Sequence, residues 1–230
     1  MATPPLRVKI NPMNSNLKEK LFGVAVEKIK GDPSHDFEHI RRVTNLAEKI
    51  GMSVAADLDI IIPAALFHDV IVYAKDDPRS KNETEESAEE AEKILSEIAE
   101  YPKEKIPQVK ICIQQCSFSK GIMPDLLEAK VLQDADRLEA TGAISIMRTF
   151  TSGGQMNRNL YNPNDPFRES SAPENFTFSL DLFYKRLLLV EATMHTDFAR
   201  AIAKRRTEFL KSFPSEFREE LTGAGVYPLK

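Results

Sequence analysis

Apolar residues recur along most of the chain at the three- and four-residue spacing of an α-helix, and no segment alternates as a half-buried strand would. Glycine, proline and polar clusters separate the periodic segments. The predicted helices span residues 17–29, 36–50, 57–73, 83–100, 103–116, 124–140, 178–194, 196–213 and 214–221. Residues 152–174, rich in glycine, asparagine, proline and serine, predict a long loop. The pattern predicts an all-α fold with an N-terminal tail, residues 1–16, and one helical domain, residues 17–230.

Three predicted helices carry an imidazole or a carboxylate among apolar neighbours. His39 lies on the apolar side of the second helix, which is expected to end before Gly51. His68 and Asp69 follow a strongly apolar run in the third helix. Asp136 lies on the apolar side of the sixth helix, and Asp134 is expected on its polar side. A lone buried histidine is most often a core residue satisfied by a hydrogen bond.

One divalent cation would explain these groups together. An unpaired buried carboxylate costs several kcal/mol unless it is neutralised or bound to a cation. For four buried polar groups on three helices, one shared cation is therefore a simpler explanation than a separate hydrogen-bond partner for each group. The hydrogen-bonded core and the metal site remain the two interpretations at this point.

The composition restricts the class of protein. The 230 residues are 42% hydrophobic and 29% charged, which is ordinary for a globular domain. No apolar run approaches 18 residues, and the N-terminus lacks a signal-peptide core, so we expect no membrane span and a cytoplasmic location. The net charge of −4 argues against nucleic-acid binding. The two cysteines, Cys112 and Cys116, are expected to be reduced thiols.

The segments around these polar groups resemble the H…HD…D signature of the HD superfamily of metal-dependent phosphohydrolases. The matching segments are His39-Ile40-Arg41-Arg42-Val43, Ala64-Ala65-Leu66-Phe67-His68-Asp69 and Asp134-Ala135-Asp136-Arg137-Leu138. Roughly residues 20–213 resemble one bacterial and archaeal branch of uncharacterised predicted hydrolases. The resemblance implies a helical HD fold with a metal held by His39, His68, Asp69 and Asp136.

This chain departs from that branch at two positions. Cys116 stands where the branch usually has a histidine before the Ser-Phe-Ser segment, and Leu182 stands where it tends to have another. A buried structural cysteine is the first interpretation of Cys116, and a thiol that reaches the site is the second. These changes favour the alternative to an enzyme, a catalytically weak HD-fold module that senses a nucleotide or docks a partner.

The scarcity of histidine predicts the number of metals. The chain has four histidines, including His195, which is expected to be structural or exposed. Binuclear members of the superfamily use additional histidines between the His-Asp pair and the final aspartate, and none occurs between Asp69 and Asp136. We therefore expect one divalent metal. Its imidazole and carboxylate ligands suit Mn, Fe, Co, Ni or Zn, and suit Mg less well.

The resemblance implies hydrolysis of a phosphate ester or anhydride of a small molecule, and we expect a nucleotide. Asp69 is the ligand expected to orient the attacking water. His35, one helical turn before His39, is a candidate acid, base or hydrogen-bond partner of a ligand, and is equally explained as an exposed residue at a helix start. The candidate phosphate-binding cations are Lys75, Arg79 and Arg148. Each is equally explained as part of a surface ion pair, and the oligomeric state is left open.

Overall fold

The computed structural model describes residues 12–29, 37–73, 77–174 and 177–223. Their α-helices are α1 (Ser15–Lys28), α2 (Phe37–Val54), α3 (Leu58–Phe67), α4 (Glu83–Glu97), α5 (Ile106–Gln114), α6 (Leu127–Arg137), α7 (Gly142–Gln155), α8 (Asp181–Lys185) and α9 (Asp197–Thr222). Strand-type pairing in the described ranges is limited to an isolated bridge between Asn159 and Phe178. The predicted all-α class is confirmed. None of the described helices is long and apolar enough to cross a membrane.

The chain divides into two compact units, residues 1–136 and 137–230. The first unit contains α1 to α6, and α7 to α9 belong to the second. The four predicted metal ligands all belong to the first unit. The expected domain, residues 17–230, stays a prediction.

Helix α3 is the centre of the first unit. Apart from Asp59 all of its residues are buried, and it contacts α1, α2, α4 and α5. A helix that is apolar on every side is stable only when other elements surround it. The carboxylate of Asp57 caps the helix by accepting a hydrogen bond from the Asp59 amide at 2.9 Å. His68, which follows the last residue of α3, therefore lies in the buried interior of the first unit.

Helix α2 does not end before Gly51, as the sequence predicts, but continues to Val54. A Cβ atom on Gly51 would lie 2.7 Å from Ile61 Cδ1 and 3.1 Å from Leu58 Cδ2. The glycine therefore permits α3 to pack closely on α2 and is not a cap. The prediction of a helix end there is wrong, because close packing and capping both favour glycine.

Helix α3 ends at Phe67, whereas the sequence predicts a helix as far as residue 73. The Ile71 amide donates to the Ser87 hydroxyl at 3.1 Å, and the Ile71 carbonyl accepts from the same hydroxyl at 3.3 Å. The Tyr73 amide donates to Glu83 Oε1 at 2.7 Å. Side chains of α4 therefore replace the hydrogen bonds that a longer α3 would form, and His68 and Asp69 lie in a turn.

The second unit differs from the prediction in its element bounds. Helix α7 extends to Gln155, so the long loop begins at residue 156 and not at 152. The predicted helix 178–194 is replaced by α8 and two 3-10 turns, because Arg186 leaves helical geometry with φ −134°.

The two predicted C-terminal helices form the single helix α9, which contains Pro214. Phe213 and Phe217, on either side of this proline, pack against one apolar cluster and favour continuation of the helix.

The long loop is anchored by a buried ion pair. The Arg168 guanidinium donates to Asp181 Oδ1 at 2.8 Å, and both side chains are almost fully buried. The Glu174 amide donates to the same carboxylate at 2.7 Å. Residues 156–174 therefore have a defined path although they contain no helix.

Candidate metal centre

The four predicted ligands come together in the first unit. His39 Nε2 lies 3.6 Å from Asp69 Oδ2 and 3.6 Å from Asp136 Oδ1. His68 Nε2 lies 3.5 Å and 3.9 Å from the same two oxygens. Three of these groups, on His39, His68 and Asp136, form a cluster whose ligand atoms are all within 4.8 Å of one another. Asp69 approaches both imidazoles but does not belong to that cluster.

These spacings suit one cation. With metal–ligand bonds of about 2.0–2.2 Å, two ligand atoms on one ion lie about 3 to 4.3 Å apart. The four nitrogen–oxygen distances lie between 3.5 and 3.9 Å, within that range. They are too long for good hydrogen bonds. Direct pairing of the imidazoles with the carboxylates therefore does not account for the arrangement.

The hydrogen bonding of His68 fixes which ring nitrogen can bind a cation. Its Nδ1 lies 2.9 Å from the Ala65 carbonyl oxygen, so Nδ1 carries the proton and donates a hydrogen bond to that oxygen. Nε2 consequently presents its lone pair to the site. This buried nitrogen has no hydrogen-bond partner among the described residues. Because an unsatisfied buried polar atom costs about 1–3 kcal/mol, the residues present fit a metal ion.

The centre is buried on one side and accessible on the other. The side chains of His39 and His68 are 1% exposed, whereas those of Asp69 and Asp136 are 29% and 33% exposed. Asp134 is completely buried, so its predicted place on a polar side of α6 is wrong. The reason is that α6 is buried without interruption over residues 131–135. Asp136 nevertheless approaches the imidazoles, as expected.

The Cys116 thiol is buried near the two carboxylates. Burial raises its pKa well above the usual value, the charges of Asp69 and Asp136 raise it further, and the charge of Lys120 lowers it. The thiol is therefore protonated at neutral pH. Both cysteines of the chain are free and buried, which agrees with the expectation of reduced thiols. Leu182, the second altered position, is partly buried in the second unit.

Two residues that sequence reasoning missed hold the turn after Asp69. They are Glu83 and Ser87, whose contacts with Ile71 and Tyr73 end α3. Burial raises the pKa of Glu83, and the negative charge of Asp69 raises it further. Ser87 is fully buried beside Ala88. A serine within the apolar side of an amphipathic helix was the available signal for its role.

The predicted phosphate-binding cations have partners within the protein. Arg79 forms an ion pair with Asp77 at 2.6 Å, and its guanidinium lies 4.3 Å from the ring centre of Tyr73. Hydrogen bonds from Arg79 lower the pKa of Asp77 to about 2. Arg148 belongs to the second unit, where its Nη1 lies 3.8 Å from the buried Glu139 carboxylate. His35 and Lys75 lie outside the described residues, and His195 is partly buried.

Known proteins match the region that contains this centre. The model of the HD domain matches residues 36–141. The uncharacterised protein YpgQ of Bacillus subtilis is 33% identical over 206 residues, which cover 86% of this chain and 91% of YpgQ. The crystal structure of YpgQ in complex with ADP is 28% identical, has a TM-score of 0.67, and covers 89% of this chain and 95% of its own. An HD-superfamily hydrolase from Bacillus thuringiensis is 32% identical, with a TM-score of 0.69, and covers 90% and 97%.

Proposed function

The chain belongs to the HD superfamily of hydrolases, and we propose that it is a metal-dependent phosphohydrolase that acts on a nucleotide. The observation that carries the proposal is the approach of two partly exposed carboxylates to two buried imidazoles, with His68 Nε2 presenting its lone pair to the carboxylates. The complex of B. subtilis YpgQ with ADP supports a nucleotide as the substrate. Within that class we favour cleavage of a nucleoside triphosphate to a monophosphate.

His39, His68, Asp69 and Asp136 would hold one divalent ion, of Mn, Fe, Co, Ni or Zn in preference to Mg. Such an ion supplies Lewis-acid chemistry, because it polarises a phosphoryl oxygen and lowers the pKa of water. The two imidazoles close the buried side of the centre, so the substrate approaches from the side of the exposed carboxylates.

Asp69 orients the attacking water, because its carboxylate is partly exposed and lies beside both imidazoles. His35 is the proposed proton donor or acceptor near this water. Lys75, Arg79 and Arg148 stay candidates for binding the phosphates. Arg79 would have to exchange Asp77 for a phosphate oxygen, since the two now form an ion pair.

The second candidate function is a binding module that senses a nucleotide without rapid hydrolysis. The observation that favours it is the protonated, buried thiol of Cys116 at a position where the related branch usually has a histidine. A protonated thiol is a weak hydrogen-bond donor and a poor base. It therefore cannot replace an imidazole in proton transfer.

Removal of the Asp69 carboxylate tests the enzyme directly. We expect Asp69→Ala to lower phosphate or pyrophosphate release from a nucleotide panel by more than about 100-fold, since even the partners of metal ligands are worth about 10–100-fold. The assay compares the full chain with Mn²⁺, Co²⁺, Ni²⁺, Zn²⁺ or Mg²⁺. Asp197→Ala is the matched control, because this aspartate is fully exposed on α9. Equal release by wild type and Asp69→Ala, or no release from any nucleotide, would contradict the proposal.

Metal analysis of the same proteins tests the stoichiometry. We expect one ion for each wild-type chain after dialysis against Mn²⁺, and less than one for Asp69→Ala. Two tightly bound ions in the wild type would contradict the one-metal prediction. Nucleotide binding by a metal-loaded protein that releases no phosphate would support the binding module.

A further inference from the structure

A short loop is fastened to the helix that carries Asp136. This segment, residues 115–122, follows α5 in the connection to α6 and is called the 115–122 loop. Gln133 Nε2 donates to the carbonyl oxygens of Gln115 and Ile122, at 3.1 and 3.2 Å. Gln133 is fully buried on α6, three residues before Asp136. One side-chain amide therefore holds both ends of the loop against the helix of a predicted metal ligand.

The same loop is fastened to the start of α4 through Lys120. The Lys120 ammonium donates to Thr84 Oγ1 at 2.6 Å and to Glu85 Oε2 at 3.3 Å. The neighbouring residue Glu83 accepts the hydrogen bond that holds Tyr73, in the segment that follows Asp69. Lys120 therefore joins the 115–122 loop to the first turn of α4, next to the residue that holds the chain beyond the His68-Asp69 turn.

Electrostatic effects agree with this location. The charges of Asp69, Asp136 and Lys120 all shift the pKa of the Cys116 thiol, which lies in the 115–122 loop. Lys120 and Asp69 also shift the pKa of Glu83, in opposite directions.

The charge balance of the centre leaves a need for a further cation. Two carboxylates would neutralise one divalent ion, and the partly buried Glu83 adds negative charge nearby. A nucleotide brings two or more additional negative charges on its phosphates. Arg79 is already matched by Asp77. A further positive side chain beside the centre would therefore favour binding of a phosphate chain.

The Lys120 ammonium has the capacity to meet that need. An ammonium has three N–H donors, and Thr84 and Glu85 accept two of them. No described residue accepts the third. The Glu85 carboxylate is 52% exposed, so its attraction for Lys120 is screened by water and a phosphate can compete with it.

We propose that Lys120 binds a phosphate group of the substrate beside the metal centre, and that the 115–122 loop positions it for this role. This inference rests on the proposed function, because it requires a phosphorylated substrate. It assigns the substrate-binding charge to a residue outside the H…HD…D signature. Thr84 and Gln133 are positioning residues, which fix the ammonium and its loop respectively.

The test compares two variants of Lys120 with a control. Lys120→Gln removes the charge and keeps a donor for Thr84, and Lys120→Arg keeps the charge. Lys110→Met is the control, since Lys110 also links α5 to α4 through an ion pair, with Glu92, and its side chain is 27% exposed against 26% for Lys120. Binding of ADP and of inorganic tripolyphosphate to the Mn²⁺-loaded full chain is measured by calorimetry, together with the affinity for Mn²⁺ alone.

We expect Lys120→Gln to weaken both probes by about tenfold or more, since charge-assisted hydrogen bonds have that worth. Lys120→Arg is expected to stay within about threefold of the wild type, and Lys110→Met to be unchanged. The affinity for Mn²⁺ alone should be the same in all four proteins. Thermal unfolding followed by circular dichroism verifies that each variant is folded.

Three results would overturn the inference. Lys120→Gln could bind the probes as Lys110→Met does, it could lose Mn²⁺ affinity in parallel with probe affinity, or the wild type could bind neither probe. The proposed function is judged separately by phosphate release from the wild type. Release with the same KM for Lys120→Gln and Lys110→Met would overturn only the role of Lys120, whereas the absence of release would overturn the enzyme.

Discussion

A hydrogen bond on the far side of the His68 ring determines which ring nitrogen faces the candidate centre. The Ala65 carbonyl accepts a hydrogen bond from His68 Nδ1, which keeps the proton on Nδ1 and leaves the lone pair on Nε2, the ring nitrogen that faces the carboxylates. The sequence identified the imidazoles and Asp69 because polar groups within apolar helices are unusual. It misjudged Asp134, because periodicity distinguishes two sides of a helix only where one of them is exposed.

Gly51 provides a test of packing at the scale of one residue. We expect Gly51→Ala to lower the free energy of unfolding by about 1–3 kcal/mol, because the new methyl group would overlap Ile61 and Leu58. Gly23→Ala is the matched control: Gly23 lies in α1 with no atom within 4 Å of an added Cβ, so alanine should be neutral or stabilising by up to about 1 kcal/mol. Urea unfolding measures both. A stable Gly51→Ala variant would mean that α3 can shift away from α2.

At the scale of elements, side chains of α4 supply hydrogen bonds to the backbone of the turn that follows α3. Its first two turns supply the hydroxyl of Ser87 and the carboxylate of Glu83 to the backbone of Ile71 and Tyr73. The sequence predicted both helices, but it extended α3 by six residues over this segment. Local spacing cannot reveal such an end, because the competing hydrogen bonds come from side chains 10 and 16 residues away.

Ser87→Ala tests whether α4 positions Asp69. We expect the affinity for Mn²⁺ to fall by about tenfold, as for partners that orient metal ligands. The free energy of unfolding should fall by about 1–2 kcal/mol, because the Ile71 amide loses its partner. Ser96→Ala, at an exposed position of the same helix, is the control and should change neither quantity. Calorimetric titration with Mn²⁺ gives the first value, and equal affinities for the two variants would mean that the turn holds without Ser87.

At the scale of the whole molecule, the candidate centre joins parts of the first unit that are distant in sequence. His39 lies in the first turn of α2, Asp69 follows α3, and Asp136 is at the end of α6. The class of fold could be predicted from helical periodicity. The candidate groups of the centre are suggested by polar residues on apolar helices, and their assignment as ligands comes from the resemblance to the HD superfamily. The division into two units could not, since it depends on which helices contact one another.

Removal of the metal tests whether an ion at this centre stabilises the folded chain. At 100 times its dissociation constant, an ion that binds only the folded chain adds about 2.7 kcal/mol to the free energy of unfolding. For a chain of this length the melting temperature should rise by about 5–10 °C with Mn²⁺ and fall again with a chelator. Asp69→Ala should show little change in either case. Differential scanning calorimetry measures the shift, and an equal shift in wild type and Asp69→Ala would place the stabilising ion elsewhere.

The hydrogen bonds that α4 side chains make to the backbone after the His68-Asp69 turn also determine the stage of folding at which the metal centre forms. Helix α3 is stable only when other helices surround it, and the backbone at Ile71 and Tyr73 is satisfied only after α4 has docked beside it. Closing the loop between α3 and α4 costs conformational entropy, and contacts within α3 do not offset that cost. Metal-binding competence is therefore acquired with tertiary docking and not with helix formation. A nascent chain that ends before Ser87 would contain His39, His68 and Asp69, but it would hold them in no fixed geometry.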